Sequence, residues 1–381
     1  MNTEVSCITP PPPAPPNRNI ATGRRVLLSG IAVIVFASAV AFVWNLRSSP
    51  ESPARPTVVL PGGAMHTGRI DVGRTPVQVI VSKRLVWVLC LHHDESVFSI
   101  VRIDPIQLLT VGRPFTIKTP STPEISGMTV GGGSVWLSQP TLTGPSLDKE
   151  PGVVRRLDAQ TGKVLANITV GHHPGGIALG AGSVWVSSLV DDTVSRIDPA
   201  TNAVIASIPV GDGPNELTWG FGTLWVHNEF RAESIMRINP DTNRVVAKIP
   251  NLGPPVMGDG VVWVVRLWSA QGLVERLNPR TNQILQGGYA SGTGGGYVAA
   301  GEGTVWVGKA YFDPTPQTCP PEMECLVSGV FAYRRYDPVA NALKGPSFAM
   351  GGGTTRMVIG DHALWTAPGI GHFVIRAPLG N

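Results

Sequence analysis

The chain has 381 residues, a net charge of +4, a pI near 9.0 and 15% charged residues. Three of its 30 basic and one of its 26 acidic side chains lie in the tail through Arg25, which leaves 27 and 25 for the remainder. So small an excess, with no Lys/Arg stripe and no basic–aromatic patch, excludes nucleic acid as the main partner.

Residues 1–25 form a proline-rich tail, with Pro10 to Pro16 in polyproline style, and are expected to be disordered and cytoplasmic. Val26 to Trp44 follows as an apolar run of 19 residues without a charge. A helix of that length spans hydrocarbon. Arg18, Arg24 and Arg25 precede it and predict an inward-facing amino terminus. The reading is a transmembrane signal anchor over 26–46 and a flexible linker over 47–64. The alternative is a cleaved signal peptide, because Ala37-Ser38-Ala39 and Ala39-Val40-Ala41 have the small residues of a cleavage site. Both readings export the domain that follows.

From residue 65 onward the sequence repeats. Val86-Trp87-Val88, Val135-Trp136-Leu137, Val184-Trp185-Val186 and Leu224-Trp225-Val226 are the first four copies of one triplet. Val262-Trp263-Val264, Val305-Trp306-Val307 and Leu364-Trp365-Thr366 complete the series. Successive tryptophans lie 49, 49, 40, 38, 43 and 59 residues apart, a spacing that marks a repeat architecture. The third unit is the cleanest. It reads "GGIAL", "SVWVSS", "TVSRIDP" and "AVIASIPVG", four short alternating segments parted by turn residues. Labelled A to D, such segments make one four-stranded antiparallel blade. The fold class predicted is all-β, a seven-bladed β-propeller over 65–381 preceded by a single transmembrane helix. In this reading the repeated tryptophan fills the wedge between blades.

The C–D turn has its own text: Asp198-Pro199-Ala200-Thr201-Asn202, Asn239-Pro240-Asp241-Thr242-Asn243 and Asn278-Pro279-Arg280-Thr281-Asn282. Asp158 to Gly162 and Asp337 to Asn341 are weaker copies. Asp or Asn accepts a backbone N–H two residues on, Pro presets φ, and the final Asn or Gly tolerates a left-handed conformation. These acids therefore read as hairpin chemistry. The last unit runs out of chain after strand C, whereas Thr67 to Pro76 resembles the text of a D strand. Residues 69–72 are thus expected to pair as the outer strand of blade 7, closing the ring.

Cys7 falls in the tail, and Cys90 reads as a small buried apolar residue. Cys319 and Cys325 flank "PPEME" in the longest insertion and would form a local disulfide in an oxidising compartment.

Propeller connectivity puts the D–A and B–C loops on one face. That face carries most of the irregular polar residues, and loops on a rigid scaffold are where function concentrates. Counting back nine from each tryptophan gives a ring of residues near the channel mouth. It includes Gln78, Glu216, Tyr297 and Arg356, an uneven set suited to orienting a ligand. The neighbouring loops add His92, His93, Asp94, His172, His173, Asp212, His227 and Glu229 as ligand-binding candidates. His227 and Glu216 are the candidates for acid–base work. No metal-like spacing occurs among them, so no cofactor is assigned from the residues. The expected partner is a small molecule, a peptide or an extracytoplasmic protein.

The run "GSVWVSSLVDDTVSRIDPATNAVIASIPVGDGPNEL" resembles the YVTN-repeat β-propellers, over roughly residues 66–381. That resemblance implies an exported binding or scaffold module. The strand-B text is "VWV" where that family has a tyrosine version. A more distant resemblance, to the virginiamycin B lyase family, implies instead a Mg2+-dependent lyase with a His base. Its "LWFTE"-like strand B is not matched here, and its ligands do not map onto this chain residue by residue.

Overall fold

A computed structural model describes residues 68–379, apart from 83, 93–96, 120–124, 142–149, 231–232, 267–272, 291–295, 312–329, 352–355 and 369–371. Among the described residues the strands form seven antiparallel sheets. Blade 3 comprises Pro174–Gly180, Ser183–Ser188, Thr193–Asp198 and Ala203–Pro209, and blade 4 comprises Pro214–Gly220, Thr223–Asn228, Ser234–Asn239 and Arg244–Pro250. Strand A of each blade lies against strand A of the next, from blade 1 round to blade 7 and back to blade 1. The structure is a closed seven-bladed β-propeller.

The tryptophan triplet explains the ring. Successive side chains of a strand point to opposite faces, so the tryptophan faces one neighbour and its flanking Val or Leu residues face the other. Trp185 of blade 3 packs into one cluster with Leu224 and Val226 of blade 4. Trp136 meets Val184 and Val186, Trp225 meets Val262 and Val264, and Trp365 meets Val86 and Val88 across the seam of the ring. Six of the seven tryptophans are completely buried and Trp87 is 4% exposed. At roughly 150–250 Å² buried per tryptophan and about 25 cal/mol per Å², each interface gains up to roughly 4–6 kcal/mol from this residue alone, an upper bound because unfolded chains already bury some surface.

A second repeated contact accompanies the first. In all seven blades the tryptophan of strand B stands directly opposite an arginine of strand C, as in Trp87↔Arg102, Trp136↔Arg156, Trp185↔Arg196 and Trp225↔Arg237. The guanidinium lies over the indole at 4.8 Å in blades 2 and 3 and at 4.5 Å in blade 4. From there it reaches the C–D turn of the next blade. Arg156 donates to Asn202 Oδ1 (2.8 Å), Arg196 to Asn243 Oδ1 (2.8 Å) and Arg237 to Asn282 Oδ1 (2.6 Å). The three asparagines hold φ of 57°, 55° and 61°. That left-handed conformation is tolerated by Asn at modest cost.

The turn acids do hairpin work. Asp158 Oδ1 accepts from the Gln160 and Thr161 N–H groups, and Asn239 Oδ1 from those of Asp241 and Thr242. Hydrogen bonds from Thr161 and the Gln160 N–H hold the Asp158 carboxyl below the usual range, and those from the Ala200 N–H and Thr201 do the same for Asp198. At Asp337 the Lys344 ammonium, followed by two backbone N–H groups, brings the value down to about 2.

Gly68–Asp71 pairs antiparallel with Phe373–Pro378 and is the outer strand of blade 7. Its register sets Arg69 against Ile375 and Ile70 against Val374, and Val72 N–H donates to His372 O beyond the strand's end. Ile70 and Val72 bury themselves in the core between blades 7 and 1. Blade 1 departs from the repeat. Its outer edge is divided into Leu109–Thr110 and Phe115–Lys118, both paired with Val97–Asp104.

Cys90 is a buried free thiol that burial pushes up to about 12, which makes it inert as a nucleophile. Cys319, Cys325 and the apolar span 26–46 lie outside the described residues. No helix among the described residues is long and apolar enough to cross a membrane.

Candidate functional site

The candidates of the loop-bearing face gather around blades 3 and 4. His172 ends strand D of blade 2, directly before the connection that enters blade 3. Its N–H and its Nδ1 both engage the Asp191 carboxylate, at 2.7 and 2.9 Å. The next loop is tied in the same way, with Gly213 N–H donating to Asp192 Oδ1 and Glu229 N–H donating to Gly213 O. Phe230 N–H reaches Asp212 O at 3.3 Å. These bonds join the B–C and D–A loops into one rim and fix the start of each A strand.

Strand B of blade 4 then delivers His227, two residues beyond Trp225. In blades 2 and 3 the same position holds Ser138 and Ser187. Their hydroxyls donate to carbonyls of the next blade's strand A, Gly175 O and Asn215 O. Blade 4 replaces that small clamp with an imidazole. His227 is 1% exposed, its Nε2 lies 3.1 Å from Glu233 Oε1, and its Nδ1 is buried without a hydrogen-bond partner. Pro255 O, in the adjoining blade, accepts instead from Thr218 Oγ1.

Glu229 completes the sector. Solvent reaches it, and Asn215 Nδ2 donates to its Oε1 at 2.8 Å. The protein crowded around its carboxyl raises the pKa above the ordinary range. The Asn215 hydrogen bond and His227 oppose that rise, and the nearby Glu216 and Glu233 add to it. Glu216 is half-buried in strand A. Its backbone crosses very close to blade 3: a Cβ on Gly176 would stand 2.4 Å from Asn215 O. This sector thus sets Asn215 against Glu229 and His227 against Glu233, with Glu216 and Glu233 near enough to influence the Glu229 carboxyl.

The remaining candidates are placed elsewhere. Gln78 uses both ends of its amide on the Met128 backbone of blade 2, at 3.1 and 2.9 Å, a bond between blades. His92 bridges Arg74 Nε and Ser99 Oγ. His173 is 4% exposed, with φ of 48°, and burial lowers its pKa to about 4. Tyr297 is half-buried in strand A of blade 6, and Arg356 begins strand A of blade 7. His93 and Asp94 lie outside the described residues. Asn215 and Glu233 were missed by sequence reasoning. Asn215 had a signal in its place directly before Glu216, whereas Glu233 reaches His227 only through the fold of its loop.

Among the described residues no group of three or more His, Cys, Asp or Glu is arranged to hold a metal ion.

No protein-family model matches the chain, and no curated protein matches its sequence. Solved structures do resemble it. U3-55K is 11% identical with a TM-score of 0.57, over 81% of this chain and 98% of that one. The computationally designed Ika8 protein is 12% identical at 0.50, over 83% and 98%. Hydrazine synthase of Kuenenia stuttgartiensis is 15% identical at 0.50, over 66% and 75%. At these identities the likeness is one of propeller fold alone.

Proposed function

We propose that this propeller is a binding module whose blade 4 recess recognises a ligand through an ammonium or guanidinium group. The nearness of Glu216 and Glu233 to the Glu229 carboxyl carries the reading. The Glu229 carboxyl is raised first by desolvation and, to a smaller extent, by the charges of Glu216 and Glu233. A cationic group offsets those charges, and the Asn215 amide and His227 fix its orientation. The proposal includes the location read from the sequence: a chain tethered by residues 26–46 with the propeller outside the membrane.

Isothermal titration of the full chain in detergent with spermidine and with arginine methyl ester tests the reading. Saturable binding is expected, weakened at least tenfold by Glu229→Gln and by Glu216→Gln. Absence of saturable binding to both probes, or equal binding by both variants, overturns it.

A further inference from the structure

The arginine contact made by blades 2, 3 and 4 is not made by Arg102 at the boundary between blades 1 and 2, and a cavity lies there. In blades 2 and 3 the guanidinium has two side-chain acceptors. One is a hydroxyl at the start of its own strand B, Ser134 for Arg156 and Ser183 for Arg196. The other is the left-handed Asn of the next blade's C–D turn. Blade 4 repeats the pattern with Thr223 and Asn282. Blade 1 has neither. Leu85 stands where the hydroxyl belongs, and the next turn ends on Gly162 instead of Asn. A Cβ at Gly162 would come within 2.5 Å of the Phe115 ring, so no side chain can supply the acceptor.

Arg102 is left with two long backbone contacts, both 3.3 Å, to Gln160 O and Arg113 O. Its guanidinium lies 4.3 Å from the centroid of the Phe115 ring, and its Nε is buried without a partner. Beside it opens a cavity of about 410 Å³, into which Arg113 and Lys163 also project. Among the described residues no Asp or Glu lines the cavity. Asp158, in the same turn, commits its Oδ1 to Gln160 and Thr161. Three cations face one opening with no carboxylate among its lining residues, and one of them lacks the side-chain acceptors that Arg156, Arg196 and Arg237 have, which calls for an external acceptor.

We infer that this cavity between blades 1 and 2 binds a tetrahedral oxyanion, phosphate or sulfate. Arg102 is the fixed anchor, held flat by Phe115 and directed by its two backbone contacts. Arg113 and Lys163, both exposed, close over the anion and supply charge. Charge-assisted hydrogen bonds of this kind are about twice as strong as neutral ones. A monoanionic carboxylate would leave more of the cluster uncompensated, which favours the more highly charged group. The site is distant in sequence from the blade 4 recess and shares no residue with it, so either can fail without the other.

The test is titration calorimetry on the full chain at constant ionic strength, with inorganic phosphate and inorganic sulfate as probes and chloride as the balancing salt. Vesicles of phosphatidylglycerol form a second arm. Saturable binding of either inorganic ion, weakened at least fivefold by Arg113→Ala and by Lys163→Ala and abolished in the double variant, supports a site for a free solute. Binding confined to the vesicles, with the same dependence on Arg113 and Lys163, supports the same site with a lipid phosphate as its source. Both substituted residues are exposed, so the fold stays intact in these variants. No saturable binding in either arm, or binding indifferent to the double variant, overturns the inference.

Discussion

The Arg196 guanidinium of blade 3 donates to Asn243 Oδ1 in the C–D turn of blade 4 at 2.8 Å, while it lies over the Trp185 ring of its own blade. One residue thus ties the tryptophan wedge to the neighbouring hairpin. Arg196 also donates to Pro240 O and to Ser183 Oγ, which fixes its fork in one orientation. The contact is a blade-to-blade latch at the outer half of the ring, complementary to the apolar wedge farther in.

Removing the acceptor without straining the backbone isolates that latch. Asn243→Gly keeps the left-handed φ of 55° accessible and deletes only the amide. Hydrogen bonds to charged groups contribute about 1.5–3 kcal/mol, and Arg196 keeps its other partners. The expected loss is about 1–2 kcal/mol in urea denaturation. A double-mutant cycle with Arg196→Met should show coupling of at least about 0.5 kcal/mol. Strict additivity would mean that the bond contributes nothing.

The closing strand gives a second prediction. Ile70 is 7% exposed within the core shared by Trp365 and Val86, whereas Arg69 and Asp71 on either side of it face outward. Ile70→Ala should cost about 2–4 kcal/mol, the range for buried Ile truncation. Asp71→Ala should cost less than about 1 kcal/mol. Deleting 66–73 removes the whole strand, exposes the Phe373–Pro378 edge and should promote self-association, read by light scattering. A deletion variant as stable and monodisperse as the parent would show that the ring does not depend on this closure.

Acid should act through His173. Burial lowers its pKa from 6.5 to about 4 in the folded protein, so the unfolded chain takes up the proton first. Stability is therefore constant above about pH 6.5 and falls as the pH drops from there towards 4. At about 1.4 kcal/mol per unit, this one residue accounts for roughly 3 kcal/mol over that interval. His173→Asn, which tolerates the φ of 48°, should remove that part of the slope. Denaturant midpoints at pH 7 and pH 4.5 for both proteins measure the difference, and equal slopes would exclude His173 as the source.

Much of this architecture was legible because it is written once per blade. The tryptophan triplets announce seven units, and the flanking Val and Leu residues already encode the opposite face of each strand. Thr67 to Pro76 carries D-strand text, and Gly68–Asp71 pairs with the last strand. The arginine latch was equally periodic, two residues before every Asp or Asn of the turns, as in Arg196 before Asp198 and Arg237 before Asn239. It passed unread because its acceptor lies in the following unit, about 45 residues away, and turn chemistry already explained the asparagine. The blade 4 recess was legible only in part. His227, Glu216 and Glu229 stood out as irregular polar residues. The approach of Glu233 to His227 depends on a loop conformation that no repeat specifies. Gln78 has a partner the repeat did not announce, since its amide bonds the Met128 backbone of the neighbouring blade.

Glu229 sets stability against binding. Desolvation is the largest contribution to its raised pKa, ahead of the charges of Glu216 and Glu233. A folded value above the unfolded one means that ionising Glu229 costs stability as pH rises past the ordinary carboxylate range. Glu229→Gln removes the charge and keeps a side-chain acceptor for the Asn215 amide. The variant should therefore unfold at higher urea than the parent at pH 7. At pH 4, where the parent carboxyl is itself protonated, the two should converge. The same change should weaken spermidine and arginine methyl ester at least tenfold. A site that is strained until occupied gains stability when it is disabled. If Glu229→Gln proved less stable at pH 7, the carboxylate would be a structural partner of Asn215 and the recess would need another explanation.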